Sequence, residues 1–180
     1  MKKTANVKPI ETVYNGYRFR SRLEARWAIY FDALGIKYEY EPEGYELGNN
    51  ERYLPDFWLP QVNMWAEVKG PKFNKKEIRK AAKLFLGTTY PILLLSGSPS
   101  AKFYPAIEGS PQSNKRFSIT LYSVNDYKNY FLEENRFYCS PGHKDPRTEG
   151  SLTQSTLNAI KMANQARFEH GETPEVHHAI

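Results

Sequence analysis

Hydrophobic positions along this chain change period several times, and the changes outline its elements. Tyr14-Asn15-Gly16-Tyr17 places Asn-Gly between aromatics, a hairpin turn signal, and Tyr17 and Phe19 then alternate with Arg18 and Arg20. From Leu23 the period lengthens. Leu23, Trp27, Tyr30, Phe31 and Leu34 mark one face of a helix. Ser21-Arg22-Leu23-Glu24 is a capping box at its start, and Gly35 is a stop at its end. Residues 36 to 41 alternate again, Ile and Tyr against Lys and Glu, which predicts a half-buried strand ended by Pro42. Two more strands follow, Tyr53 to Leu59 and Met64 to Lys69. Asn74 caps a second helix with Ile78, Ala81, Ala82 and Phe85 on its apolar side and Lys76, Lys80 and Lys83 on another. Tyr90 to Leu95 is a continuous apolar run between Gly87 and Gly97, which suits a buried central strand.

The remainder is less regular. Residues 96 to 116 are rich in Ser, Pro and Gly and read as a long loop, and Phe117 to Val124 reads as a strand. Residues 138 to 150 are turn-rich, and Ser151 to His170 is helical in pattern. The expected organisation is a loose start over 1–13, a core over 14–135, a C-terminal loop and helix over 136–170, and a flexible tail over 171–180. Helix, strands, helix, strand, loop, strand and helix in that order predict an α/β or α+β domain. Its mixed central β-sheet is flanked by helices and carries a C-terminal helical appendage.

Composition narrows the function classes. A chain of 180 residues with net charge +5 and pI about 9.1 suits one domain with a polyanionic partner. Its 13 Tyr offer stacking surface with a polar tip. Cys139 is the single cysteine, so no intrachain disulfide forms, and with His143 it offers too few ligands for zinc. No apolar run approaches the ~20 residues of a membrane span. The expectation is a cytoplasmic protein with no membrane partner.

The candidate chemistry lies in the two strands around Pro55-Asp56 and Glu67-Val68-Lys69. A hairpin centred on Gln61-Val62 sets Trp58 opposite Trp65 and Asp56 opposite Glu67, with Lys69 on the same face as Glu67. Opposed carboxylates about 5 Å apart repel one another, and a divalent cation such as Mg²⁺ removes that repulsion. The register stays open, because Pro60 widens the turn and a slip of one residue turns Glu67 away. Plainer readings exist for each residue: Asp56 as a turn residue, Glu67 with Lys69 as a surface ion pair, and Glu24 as a helix cap only. Gly70 directly after Lys69 ends the strand and admits a close approach.

Glu24 on the first helix, then Pro55-Asp56, then Glu67-Val68-Lys69 resembles the PD-(D/E)XK nuclease superfamily, over about residues 14 to 96. The texture, including Ala166-Arg167-Phe168-Glu169-His170, is similar to small phage-encoded nucleases of that group. The resemblance implies a restriction-endonuclease-like core and hydrolysis of DNA phosphodiester bonds in DNA processing, recombination or host-DNA attack. It implies that Asp56 and Glu67, with the Val68 carbonyl, bind Mg²⁺ or Mn²⁺, and that Glu24 holds a second metal or a metal-bound water. It implies that Lys69 orients or helps deprotonate the attacking water and stabilises charge on the phosphate.

Basic residues flank this run on both sides. Arg18, Arg20, Arg22 and Arg26 precede it, and Lys72, Lys75, Lys76, Arg79, Lys80 and Lys83 follow it. Such residues contact phosphates irrespective of sequence, although a solvated helix face is the plainer account of any single lysine. Three other readings stay open: an RNA-directed nuclease, a nucleic-acid-binding protein on a nuclease fold without cleavage, and an interaction module. A homodimer would suit two-strand cleavage. No Gly-rich phosphate loop and no nucleophile elbow is present.

Overall fold

The structure is a computed structural model that describes residues 9–70, 72–100, 103–108, 118–123 and 153–168. It is an α+β fold with a mixed sheet. Strands β1 (Thr12–Tyr14) and β2 (Tyr17–Phe19) form a hairpin. Asn15 and Gly16 both take positive φ at its turn, 46° and 80°, as the Asn-Gly signal requires. Thr12 therefore already belongs to a strand, inside the stretch expected to be loose.

Helix α1 (Arg22–Ala33) starts at Ser21, whose hydroxyl accepts the Glu24 amide hydrogen. It ends in a Schellman turn. Gly35 has φ 68°, the Gly35 N–H donates to the Asp32 carbonyl, and the Ile36 N–H donates to the Phe31 carbonyl.

The strand expected over 36–41 is shorter: only β3 (Glu39–Tyr40) pairs. The strand expected from Tyr53 to Leu59 is two. Arg52–Tyr53 (β5) pairs with Tyr45–Glu46 (β4) in a separate hairpin, and Phe57–Leu59 (β6) joins the main sheet. Pro55 has no amide hydrogen to give a ladder, and the Asp56 carbonyl instead accepts the Glu41 N–H at 2.9 Å.

Strand β7 (Met64–Lys69) pairs with β6 through Leu59↔Met64, Trp58↔Trp65 and Phe57↔Ala66. This is the symmetric register. It is reached through a four-residue turn closed by Asn63 at φ 49°. After α2 (Lys75–Thr88), β8 (Ile92–Ser96) runs parallel to β7. The loop expected over 96–116 contains a strand, β9 (Phe103–Glu108), which pairs with β8 and with β10 (Ser118–Ser123). Among the described residues the main sheet has six strands, in the order β10-β9-β8-β7-β6-β3.

Alternation along the central strands gives the sheet two apolar faces. Phe57, Leu59, Met64, Ala66, Val68, Leu93 and Leu95 pack against α1 on one of them. Trp65, Ile92 and Leu94 pack against Ala81, Ala82, Leu84 and Phe85 of α2 on the other. Helix α3 (Gln154–Gln165) buries Ala159 and Ala163 in the α1 core. The expected C-terminal helix is thus shorter than Ser151 to His170, and it is part of the packed layer beside α1. The turn-rich stretch 138–150 with Cys139 and His143, the segment Glu169-His170 and the fraying tail lie outside the described residues. No helix among the described residues is long and apolar enough to cross a membrane.

Candidate metal and nucleic-acid site

The register of β6 against β7 decides the geometry. Trp58 faces Trp65, so continuing the ladder carries Asp56 to the position opposite Glu67. Asp56, Trp58, Trp65, Glu67 and Lys69 then share the sheet face that α2 covers. Val68 points the other way, into the core beside α1. Gly70 follows the strand directly, and a β-carbon there would meet nothing within 4 Å, so the protein itself makes no close approach at that point.

Asp56 and Glu67 are buried, at 8% and 5% exposure. Asp56 Oδ2 accepts the Val68 N–H at 2.6 Å. Lys69 Nζ lies 3.0 Å from Glu67 Oε1. Glu67 Oε2 is buried and meets no donor in good hydrogen-bond geometry, although the Tyr53 hydroxyl lies near enough to act on this carboxylate. Burial raises the Asp56 pKa well above the ordinary 3.8, and the charges of Glu67 and Glu24 raise it further, against the Val68 N–H and Lys69. Glu67 is raised from its ordinary 4.5 by burial, with Lys69 opposing. Burial pulls Lys69 down, but the Glu67 carboxylate outweighs it and the net shift is upward, so Lys69 keeps its proton.

Glu24 sits at the first turn of α1, buried at 9% exposure. Its carboxylate is heavily engaged. Oε1 accepts from the Ser21 hydroxyl at 2.6 Å, and Oε2 accepts from the Arg20 N–H at 3.0 Å and the Tyr40 hydroxyl at 2.6 Å. The capping role is therefore real, with the Arg20 amide in place of the cap residue's own. Glu24 acts on Asp56 through its charge. Among the described residues no three His, Cys, Asp or Glu side chains gather closely enough to ligate one ion.

No family model, no curated protein and no solved structure matches the chain.

The fit to a divalent cation therefore rests on this chain's own atoms. A buried carboxylate oxygen without a partner is costly unless something positive meets it. Hard oxygen donors suit Mg²⁺ or Mn²⁺, and Mg²⁺ commonly rests on one or two carboxylates while water and phosphate fill the other positions. Asp56 and Glu67 fit that pattern.

Above them opens a cleft of about 790 Å³, lined by Asp56, Glu67 and Lys69 and bordered by Arg20, Arg52, Lys76 and Lys80. Of the basic residues singled out from sequence, the structure brings Arg20, Lys76 and Lys80 to this cleft. Lys83 instead holds Glu51 at 2.8 Å, and Arg18 pairs with Glu11 at 3.4 Å. Arg22, Arg26 and Lys72 are not among the cleft's lining residues.

Three further residues stand at the site beyond those that the sequence pattern points to. Tyr53 lies near Glu67, and burial followed by that carboxylate's charge raises its phenol pKa. Arg52 belongs to the β4–β5 hairpin, for which the turn cluster Gly48-Asn49-Asn50 is the sequence signal. Glu41 has φ 45°, uncommon for a residue with a side chain and frequent near functional sites. Its N–H fixes the Asp56 carbonyl, and its Oε1 lies 2.9 Å from Arg20 Nε.

Proposed function

We propose that this chain is a divalent-metal-dependent endonuclease that hydrolyses DNA phosphodiester bonds. One observation carries the reading: two buried carboxyls, Asp56 and Glu67, lie across the hairpin from one another on the floor of a cleft with basic edges, and Glu67 Oε2 meets no donor in good hydrogen-bond geometry. Asp56 and Glu67 hold Mg²⁺ or Mn²⁺. A cation bound there polarises a phosphoryl oxygen and acidifies water.

The chain's own residues do the rest. Lys69, held protonated at 3.0 Å from Glu67, faces the cleft as a fixed positive charge and stabilises negative charge on the phosphate. Its expected role therefore begins from the charged form, which orients the attacking water and stabilises the phosphate. Arg20, Lys76 and Lys80 hold flanking phosphates. Glu24 fixes the Arg20 backbone and the Tyr40 hydroxyl, and its charge strengthens the hold of Asp56 on the cation.

The test is cleavage of a set of DNA substrates, single-stranded, tailed-duplex and supercoiled, in Mg²⁺, in Mn²⁺ and in chelator, with Asp56→Ala as control. Cleavage that persists in chelator or in Asp56→Ala would falsify the metal mechanism. A second reading, a nucleic-acid-binding protein without cleavage, draws on the engaged oxygens of Glu24 and the lack of a third metal-ligating side chain among the described residues. It predicts tight DNA binding with every one of these substrates intact in every metal.

A further inference from the structure

The walls of the cleft are as informative as its floor. A volume of about 790 Å³ lies in the ~300–1,000 Å³ range that encloses a drug-sized molecule, which is the scale of one or two nucleotides. Duplex DNA carries its phosphates on the outside of a stiff rod with a persistence length of ~50 nm. A straight rod rests across the mouth of such a cleft, above carboxylates that are 8% and 5% exposed. A single strand can lower one phosphate onto them, because its backbone turns at each nucleotide.

One wall is aromatic. Tyr45 and Tyr53 are direct cross-strand partners on the β4–β5 hairpin, and both line the cleft. Tyr45 is backed by Trp65, with ring centroids 5.6 Å apart and planes at 80°. Trp65 meets Trp58 at 4.7 Å, and Trp58 meets Tyr90 at 5.0 Å. Tyr90 is 43% exposed and Trp58 is half-buried. A row of rings thus leaves the cleft along the face that carries Asp56. Trp58 is the next same-face position after Asp56, ~7 Å along the strand. Positive charge beside aromatic faces is the chemistry by which proteins hold single strands, phosphates on the cations and bases on the rings. Arg52, Lys76 and Lys80 supply the charge.

We infer that the cleft takes a single strand of DNA and excludes intact duplex, with a base beside the scissile phosphate stacked on Tyr45 and the strand continuing toward Trp58 and Tyr90. The scissile phosphate rests on the nuclease reading; the binding does not.

Two measurements separate them. Fluorescence anisotropy in Ca²⁺ compares a labelled oligo-dT strand with a covalently closed duplex dumbbell. The wild type binds oligo-dT at least about tenfold more tightly than the dumbbell. Tyr45→Leu, which keeps bulk against Trp65 but has no aromatic face, weakens oligo-dT binding about tenfold, and Tyr45→Phe leaves it unchanged. Circular dichroism confirms that both variants are folded. Equal binding of the dumbbell, or a folded Tyr45→Leu that binds oligo-dT as the wild type does, overturns the inference. In Mn²⁺, scission of a tailed duplex is confined to the tail, and cutting inside the dumbbell overturns the inference while leaving the endonuclease reading intact. Oligo-dT binding that depends on Tyr45, with no cleavage of any substrate, supports the inference and removes the endonuclease reading.

Discussion

Asp56 and Val68 are joined across the hairpin by a 2.6 Å bond from the Val68 N–H to Asp56 Oδ2. The bond locks the carboxyl of one strand onto the residue between Glu67 and Lys69 of the other. It favours the charged form of Asp56, but burial and two neighbouring carboxylates outweigh it. The site therefore stores unfavourable electrostatic energy in the metal-free protein.

Asp56→Asn should relieve that energy and remove function together. Asn can still accept the Val68 N–H. Its expected signature is a metal-free melting temperature higher by a few degrees, at about 2–4 °C per kcal/mol for a chain of this size. Cleavage of a single-stranded oligonucleotide should fall by at least about a hundredfold. Calorimetry in chelator reads the first, and a lower melting temperature would contradict the stored-energy argument.

The pH dependence has a defined sign. Asp56 and Glu67 are both raised, from 3.8 and 4.5. Their stabilising contribution is full below the unfolded values and is lost as pH rises through the folded ones. Glu51 is lowered, chiefly by its hydrogen bond to Lys83, so its contribution is present above 4.5 and lost as pH falls. The gap in melting temperature between Asp56→Asn and the wild type isolates the first effect. That gap should widen from about pH 4 to neutrality in chelator, and Mn²⁺ should close it by stabilising the wild type alone.

Lys69→Met should lower kcat about a hundredfold and leave KM within a few-fold, the pattern of an interaction made in the transition state. Loss of the charge 3.0 Å from Glu67 should also leave that carboxyl easier to protonate. Steady-state kinetics on a short oligonucleotide checks the split. A rise in KM alone would make Lys69 a binding residue.

Glu24→Ala and Glu24→Gln should part company. Alanine strands the Tyr40 O–H, at about 1–3 kcal/mol for a group left unsatisfied, and leaves the Arg20 N–H with the Tyr40 oxygen alone. Glutamine keeps an acceptor and the fold, removes the charge felt by Asp56, and should raise the Mn²⁺ concentration needed for half-maximal cleavage about tenfold. A metal titration of the glutamine variant decides whether the charge matters.

Periodicity and turn chemistry made much of this legible. Ser21 and Gly35 marked both ends of α1, and the 58–65 pairing followed from a symmetric hairpin even though the turn is wider than two residues. Strand β9 was not legible. It lies in a Ser, Pro and Gly-rich stretch, and Pro105 sits inside it, beyond the two positions that pair with β8. Its extended form comes from neighbours distant in sequence. The left-handed Glu41 and the β4–β5 hairpin depend on contacts to Asp56, Arg20 and α2, which no local pattern announces. Glu24, Asp56, Glu67 and Lys69 were visible as residue types at a spacing. The orphaned oxygen on Glu67 required coordinates.

Glu51 gives the β4–β5 hairpin an unusual anchorage. Its carboxylate meets Lys83 at 2.8 Å, Arg79 at 3.7 Å and Lys80 at 4.0 Å, all on α2. The lip over the carboxylates is thus moored by charges at a partly solvated seam, where dissolved ions compete for the same partners. Brine slackens the mooring and dilute buffer tightens it. The firmness of that lip is set by the surrounding solution as well as by the Tyr45–Trp65 packing and the Lys80 bond to the Arg52 carbonyl.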